Sequence, residues 1–382
     1  MDELFVNVRL TWPQVAAWRV RRHNLDQRAP AGSMLAVASR LCGLHAQVLS
    51  SAALTLWARV EGLDHQAVQR ALWEDRTLIK TWAIRGTLHL LPVEDLPLWH
   101  AVLSTSRRYR RPGLWRRFGL TLEELDRLTE AIGAALDGSV MTREELAKKV
   151  RRLTGSAKFA ARLADGGWST ILKPAAMTAR LCFGPSVGQR VRFTHPATWV
   201  ATPLQPMDSQ TAIAIFTRRF LGAYGPATYH DLARWWGGGS IVTARQWIAA
   251  LGEEVSRIEL GGIQYWMLAA DVYEASELPP QRSVRLIPAF DQYVIGASRH
   301  AEHLLPGDLR GRIYRPQGWI SPVLLVNGLI QGVWRHQIRG SRIEVLVEPF
   351  VKMPNWMRNA AEQEAERLAM FLGGNLTLAF KN

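Results

Sequence analysis

Helix-forming stretches that end in short strand pairs recur along the first 280 residues, which limits this chain to folds assembled from small helix–hairpin units. Thr11 to Arg22 opens the series, with Trp12 and Pro13 in its first turn and Arg19, Arg21 and Arg22 on its polar face. Ser33 to Cys42 reads as a second helix with Ser33 as N-cap, and Leu49 to Trp57 as a third after a break near Gly43. Asp64 to Trp73 is a short amphipathic helix, and Leu78 to Leu91 switches to strand-like alternation around Gly86. Pro92 then opens a helix to about Thr105. Helices followed by a hairpin are the element order of a winged helix.

The order repeats. Leu122 to Leu136 is a helix, Thr142-Arg143-Glu144-Glu145 is a capping box opening another, Gly167 to Phe183 is a third carrying Lys173 and Arg180, and Gly188 to Phe193 supplies a strand. Asp208 to Ala223, Thr228 to Trp236 and Val242 to Leu251 are three more helices before a hairpin, Val255 to Leu260 with Tyr265 to Leu268 across Gly261-Gly262. It is a repeat of element order and not of residues. From Ser283 the texture becomes short strands: Val284 to Phe290, Ile320 to Val326 and Ile330 to Ile338 across Asn327-Gly328, Ile343 to Val347, and Leu376 to Phe380. One helix, Asn355 to Phe371, interrupts them, so a barrel or sandwich capped by that helix is expected. The acidic, proline-bearing segment Glu274 to Pro280 reads as a linker. The expected fold class is mainly α with β wings (α+β): winged-helix units at 1–120, 121–207 and 208–280, then a C-terminal β-rich barrel domain at 281–382.

Charge narrows the partner. Lys and Arg number 47 against 33 acidic residues, a net +14 over 382 residues, which points to a polyanion and first to nucleic acid. No run of eighteen apolar residues and no signal-peptide pattern is present, so a cytoplasmic protein without membrane attachment is expected. Cys42 and Cys182 lie far apart in apolar stretches read as helical, as core residues do. His300 and His303 have a spacing compatible with a metal but lack further nearby ligands, so they read as surface residues, and neither metal nor cofactor is expected. A nuclease would need clustered carboxylates for its metals, and none appears in the sequence.

The polar pair that stands out is His45 and Gln47, in Gly43-Leu44-His45-Ala46-Gln47-Val48. Residues at i and i+2 of a helix point in nearly opposite directions, so the two can address one substrate only where regular helix is interrupted, and Gly43 supplies an interruption. By spacing alone they read more readily as a core histidine and a solvated glutamine than as a catalytic pair.

The surroundings carry a resemblance. Gly43-Leu44-His45-Ala46-Gln47, Arg85-Gly86-Thr87-Leu88-His89, Pro288-Ala289-Phe290-Asp291-Gln292-Tyr293, Val326-Asn327-Gly328 and Gly332-Val333-Trp334-Arg335 occur in the order seen in bacterial winged-helix DNA glycosylases of the AlkZ/YcaQ type. The resemblance covers nearly the whole chain. It implies three tandem winged helices and a β-barrel in a C-shaped DNA clamp. It also implies excision of alkylated purines or unhooking of crosslinks, in base excision repair or antibiotic self-resistance. The family's catalytic pair reads Gln, apolar residue, Gln or Gln, apolar residue, Asp; this chain departs from it with His45 at the first position.

The chemistry agrees with a weak catalytic pair. An N7-alkylated guanine or N3-alkylated adenine is already cationic and leaves without protonation, so the enzyme need mainly hold a water against C1′. Gln47 is assigned to fixing that water through its amide. His45 is assigned to hydrogen-bonding or deprotonating it, since an ordinary imidazole pKa of about 6.5 leaves much of it neutral at cellular pH. Candidate contacts to double-stranded DNA are Arg19, Arg22, Ser50, Lys80, Arg85, Thr87, His89, Arg107, Arg108, Arg110 and Arg111, the last four of them in the densest basic stretch, Arg107 to Arg117. His89 and Arg85 read equally as facing the duplex or bracing a helix. The competing function is a non-catalytic winged-helix DNA-binding protein or transcriptional regulator. It predicts a palindromic site and a dimer, whereas three dissimilar units favour a monomer wrapping DNA.

Overall fold

The structure, a computed structural model, describes residues 9–106, 108–165, 170–200, 205–237, 239–279, 282–297 and 301–381. Arg107, named above as a DNA contact, His300, Gly167 at the start of an expected helix and Pro280 at the end of the expected linker lie outside the described residues. The chain forms two compact units, one from residues 1–67, 217–235 and 241–382, the other from 68–216 and 236–240.

In the first unit the helix Trp12–Arg22 starts where expected. Thr11 and Gln14 close a reciprocal capping box, and Pro13 occupies the first turn. Val15 and Trp18 on its inner face join Ile258, Leu260 and Met267 of the hairpin Val255–Leu260 and Ile263–Leu268 in one core. Val272, Ala275 and Leu278 belong to the same core. The expected linker is therefore helical as far as Glu277: Ala269–Glu277 buries Val272 and Ala275 and is capped by buried Leu278, and its exposed Glu274 pairs with Arg21 at 2.9 Å. The acidic composition had marked the solvent face of a helix.

The C-terminal strands form one five-stranded sheet in the order 375–380, 342–349, 329–339, 323–326, 284–287. Asn327 and Gly328, at φ +50° and +79°, make the tight turn that an Asn-Gly pair favours. All neighbours are antiparallel except 342–349 with 375–380, which run parallel because the helix Asn355–Leu372 carries the chain back across the sheet. The expected closed barrel is not seen. Closure is one way to satisfy a strand edge, and here the helix does part of that work: Leu286 donates its amide to Glu364, at 3.4 Å. Glu364 in turn pairs with Arg28 and lies 3.7 Å from Arg285.

The second unit holds two small sheets, 78–82 with 88–92, and 140–142, 190–194 and 182–187. Between them Phe183 meets both Trp82 and Phe193 edge on, while Trp82 and Phe193 lie nearly parallel. The capping box at Thr142 and Glu145 forms as expected, and so does another at Thr121 and Glu124. Over the described residues, from Thr170 on, the long helix expected over Gly167 to Phe183 does not form. Lys173–Met177 is a five-residue helix, Ala179 turns the chain at φ +61°, and Cys182–Val187 is a strand, so Cys182 is buried in a sheet.

One interaction ties the distant parts of the first unit together. Arg59, just past the helix Leu49–Trp57, donates from both terminal nitrogens to the two oxygens of Asp291 at 2.7 Å, and neither side chain has any exposure. Arg59 also donates to the Thr55 carbonyl at 2.9 Å and faces Nδ1 of His23 at 3.4 Å. Burial and the Arg59 charge push the His23 pKa well below its ordinary value, so its neutral ring can accept from Arg59 while Nε2–H donates to the Ala223 carbonyl at 3.1 Å. Removing one partner of such a pair strands a buried charge, at a cost of about 3–5 kcal/mol. Asp291→Ala should lose stability on that scale in urea unfolding, and a loss below 1 kcal/mol would show that the pair does not hold the unit.

Candidate functional site

His45 lies on a two-residue strand, Leu44–His45, and Gln47 in the bend before the helix Leu49–Trp57. Regular helix is interrupted at this position. The helix Met34–Arg40 ends in two successive left-handed residues, Cys42 at φ +58° and Gly43 at +83°, and the Gly43 amide returns to the Ala38 carbonyl at 2.8 Å. Two remote side chains hold the turn. Tyr224 donates its hydroxyl to the Leu41 carbonyl at 2.8 Å, and Gln292 donates its amide to the Gly43 carbonyl at 2.6 Å.

The His45 ring is 8% exposed and stacks on Phe290, with centroids 5.0 Å apart and planes 18° from parallel. Phe290 in turn meets Trp319 edge on, at 4.9 Å and 75°. Phe290 has φ +58°, a region that costs a bulky residue of order 1–3 kcal/mol and persists only where its neighbours over-determine it. Those neighbours are Asp291, locked to Arg59 and capping the helix Gln292–Gly296, and Gln292, locked to Gly43. Asp291 is thus committed to Arg59 and to the Tyr293 amide, at 2.8 Å, and is no candidate base. Gln47 is exposed, so a catalytic pair here would consist of one fixed ring and one solvent-facing amide.

These supports were missed in the sequence reading. The Pro288-to-Tyr293 motif was visible, but nothing local links Asp291 to Arg59, 232 positions away, or Gln292 to Gly43, 249 away. Beside the ring stack opens a cavity of about 550 Å³ whose lining includes Ser50, Ser51, Pro288, Arg312, Arg315 and Trp319.

The other candidates occupy varied environments. Arg19 is part-buried and donates to the Pro226 carbonyl at 2.8 Å, and burial lowers its pKa; Arg22 donates to the Gly222 carbonyl at 2.7 Å. Both guanidiniums brace the helix Trp12–Arg22 within its unit. His303 is not a simple surface residue, for its ring stacks on Trp12 at 3.5 Å and burial holds its pKa down to about 4. In the second unit His89 has no exposure, and its Nδ1 meets the Thr87 carbonyl at 3.0 Å, which fits the bracing reading. Thr87 closes its own turn on the Ile84 carbonyl, at 3.0 Å, and Arg85 sits at φ +58° against Gly237. Lys80 lies 5.4 Å over the Phe183 ring, with its pKa lowered by burial. Arg108 donates to the Gly237 carbonyl and Arg110 pairs with Asp126, whereas Arg111, Arg116 and Arg117 are exposed. Ser50 is exposed on the cavity wall.

Comparison with known proteins agrees from end to end. The family model "DNA glycosylase AlkZ-like" matches residues 38–371. A relative named interstrand DNA cross-link repair glycosylase, from Streptomyces sahachiroi, is 34% identical over 373 residues, 96% of this chain and 98% of the relative. The solved structure of the Streptomyces sahachiroi DNA glycosylase AlkZ superposes with a TM-score of 0.88 at 33% identity, covering 98% of this chain and all of that one. A model match across most of the chain, together with full-length likeness in sequence and fold, makes this protein a member of the AlkZ-like DNA glycosylase family.

Proposed function

We propose that this glycosylase hydrolyses the N-glycosidic bond of cationic alkylated purines in double-stranded DNA, N7-alkylguanine foremost, and that it releases the same bond in interstrand crosslinks. The support for crosslinks is the name of the Streptomyces sahachiroi relative. The support for the chemistry is the placement of His45, fixed against Phe290 two residues from an exposed amide.

In the proposed reaction the C1′–N9 bond breaks and its electron pair neutralises the cationic purine, so no acid is required at the leaving group. A water held by the Gln47 amide attacks C1′, and neutral His45 takes the proton from that water and returns it to solvent. Each group acts mainly by orientation, which suits an easy leaving group. The enzyme acts as a monomer in the cytoplasm, on DNA of any sequence, because exposed arginines meet phosphates and not base edges. No helix among the described residues is long and apolar enough to cross a membrane.

Incubation with duplex DNA carrying N7-methylguanine, followed by alkali to reveal abasic sites, tests this reading. Wild type should cleave after alkali. Gln47→Ala should lose at least roughly 100-fold in single-turnover rate with duplex affinity within a few-fold, because its contact belongs to the transition state. Equal rates for the variant and wild type would remove Gln47 from the mechanism. Separately, replacing Arg111, Arg116 and Arg117 with Ala should weaken binding to damaged and undamaged duplexes alike and flatten the salt dependence by up to about 2–3 slope units. A loss confined to damaged DNA would contradict phosphate contact.

A further inference from the structure

The cavity beside the His45–Phe290 stack has a chemistry that water positioning does not use. Its volume, about 550 Å³, falls within the range of small-molecule sites and far exceeds what a methyl group needs. It adjoins the candidate pair from two sides. Ser50, three residues after Gln47, lines it, and so does Trp319, whose ring meets the Phe290 ring on which His45 stacks.

Three guanidiniums and a half-open indole face this space. Trp319 is 45% exposed, although burying an aromatic ring of its size is strongly favourable. Arg312 is neutralised by Glu348 at 3.1 Å, and Glu348 is shared with Lys381. Arg315 and Arg335 are exposed, and among the described residues no carboxylate pairs with either. Pro288 and Pro322 complete an apolar wall. A flat ring to stack on, with planar forks at its edge, matches a flat aromatic ligand carrying oxygen acceptors. A phosphodiester would engage the arginines alone and leave the Trp319 face and the proline wall unused.

We propose that this cavity seats the substituent carried on the excised purine when that substituent is a planar aromatic group bearing a carbonyl or similar oxygen, stacked on Trp319 and hydrogen-bonded by Arg315. The inference rests on the glycosylase reading above. It makes Trp319 and Arg315 determinants of which alkyl adducts are removed quickly.

The test compares excision of N7-methylguanine and N7-coumarinylmethylguanine from the same duplex by wild type, Trp319→Ala and Arg315→Ala, with folding checked by circular dichroism. It adds fluorescence anisotropy of the free coumarinylmethylguanine base with each full-length protein. The expected result is a fall of at least tenfold in the coumarinyl-to-methyl ratio of kcat/KM in both variants, with a matching loss of free-base affinity. An unchanged ratio and unchanged free-base binding would overturn the proposal. So would equal losses on both substrates from Arg315→Ala, with a shallower salt dependence and a silent Trp319→Ala, since those mark a phosphate contact. If wild type excises neither base, the glycosylase reading fails, and the anisotropy measurement still decides whether the cavity binds the aromatic group.

Discussion

The first unit depends on a buried ion pair, Arg59 with Asp291, made in full bidentate geometry where neither group reaches water. Such a pair is costly to assemble and more costly to break, because either partner alone would be an uncompensated charge in a low-dielectric interior. Both ends of Asp291 matter. Its carboxylate is held by Arg59 at the end of the helix that follows Gln47, and its backbone is continuous with Phe290 and Gln292 on either side. The ion pair therefore sets three things at once: the strained backbone of Phe290, the clamp on the Gly43 carbonyl, and the face against which His45 lies.

Under the proposed mechanism, this arrangement lets a histidine stand where the family resemblance implies glutamine. A ring stacked on Phe290 has few orientations, so an imidazole can be held as a positioned acceptor at little entropic cost. Gln47 remains outside the packing, where it can meet water. In the proposed mechanism the division of labour follows from burial: His45 is oriented by the interior, and exposed Gln47 is free to adjust to the lesion.

Much of the fold was legible because it is encoded locally. Asn327-Gly328 announced a hairpin, Thr142 and Glu145 a helix start, and the stretch Asn355 to Phe371 a helix among strands, and each forms. Two local readings failed where composition hid a second pattern. Glu274 and its neighbours looked like a linker because the buried Val272, Ala275 and Leu278 are spaced between acidic residues. Cys182 and Phe183 looked helical because an apolar run does not distinguish a short buried strand from a helix. The candidate pair was visible as two residues, but its support was not. Arg59–Asp291, Gln292–Gly43 and Tyr224–Leu41 join positions 183 to 249 apart, and only the folded chain brings them together.

The proposed role of His45 is that of an acceptor working in its neutral form, and the pH dependence of single-turnover excision tests it most directly. With N7-methylguanine duplex, wild type should lose rate tenfold per pH unit on the acid side through one ionisation, because a protonated ring can neither accept the water proton nor sit comfortably beside a cationic base. His45→Gln, which cannot titrate, should retain measurable excision with that acid limb gone, and His45→Ala should lose most of the rate. Identical pH profiles for wild type and His45→Gln, with His45→Ala fully active, would show that the histidine only packs against Phe290 and takes no part in the reaction.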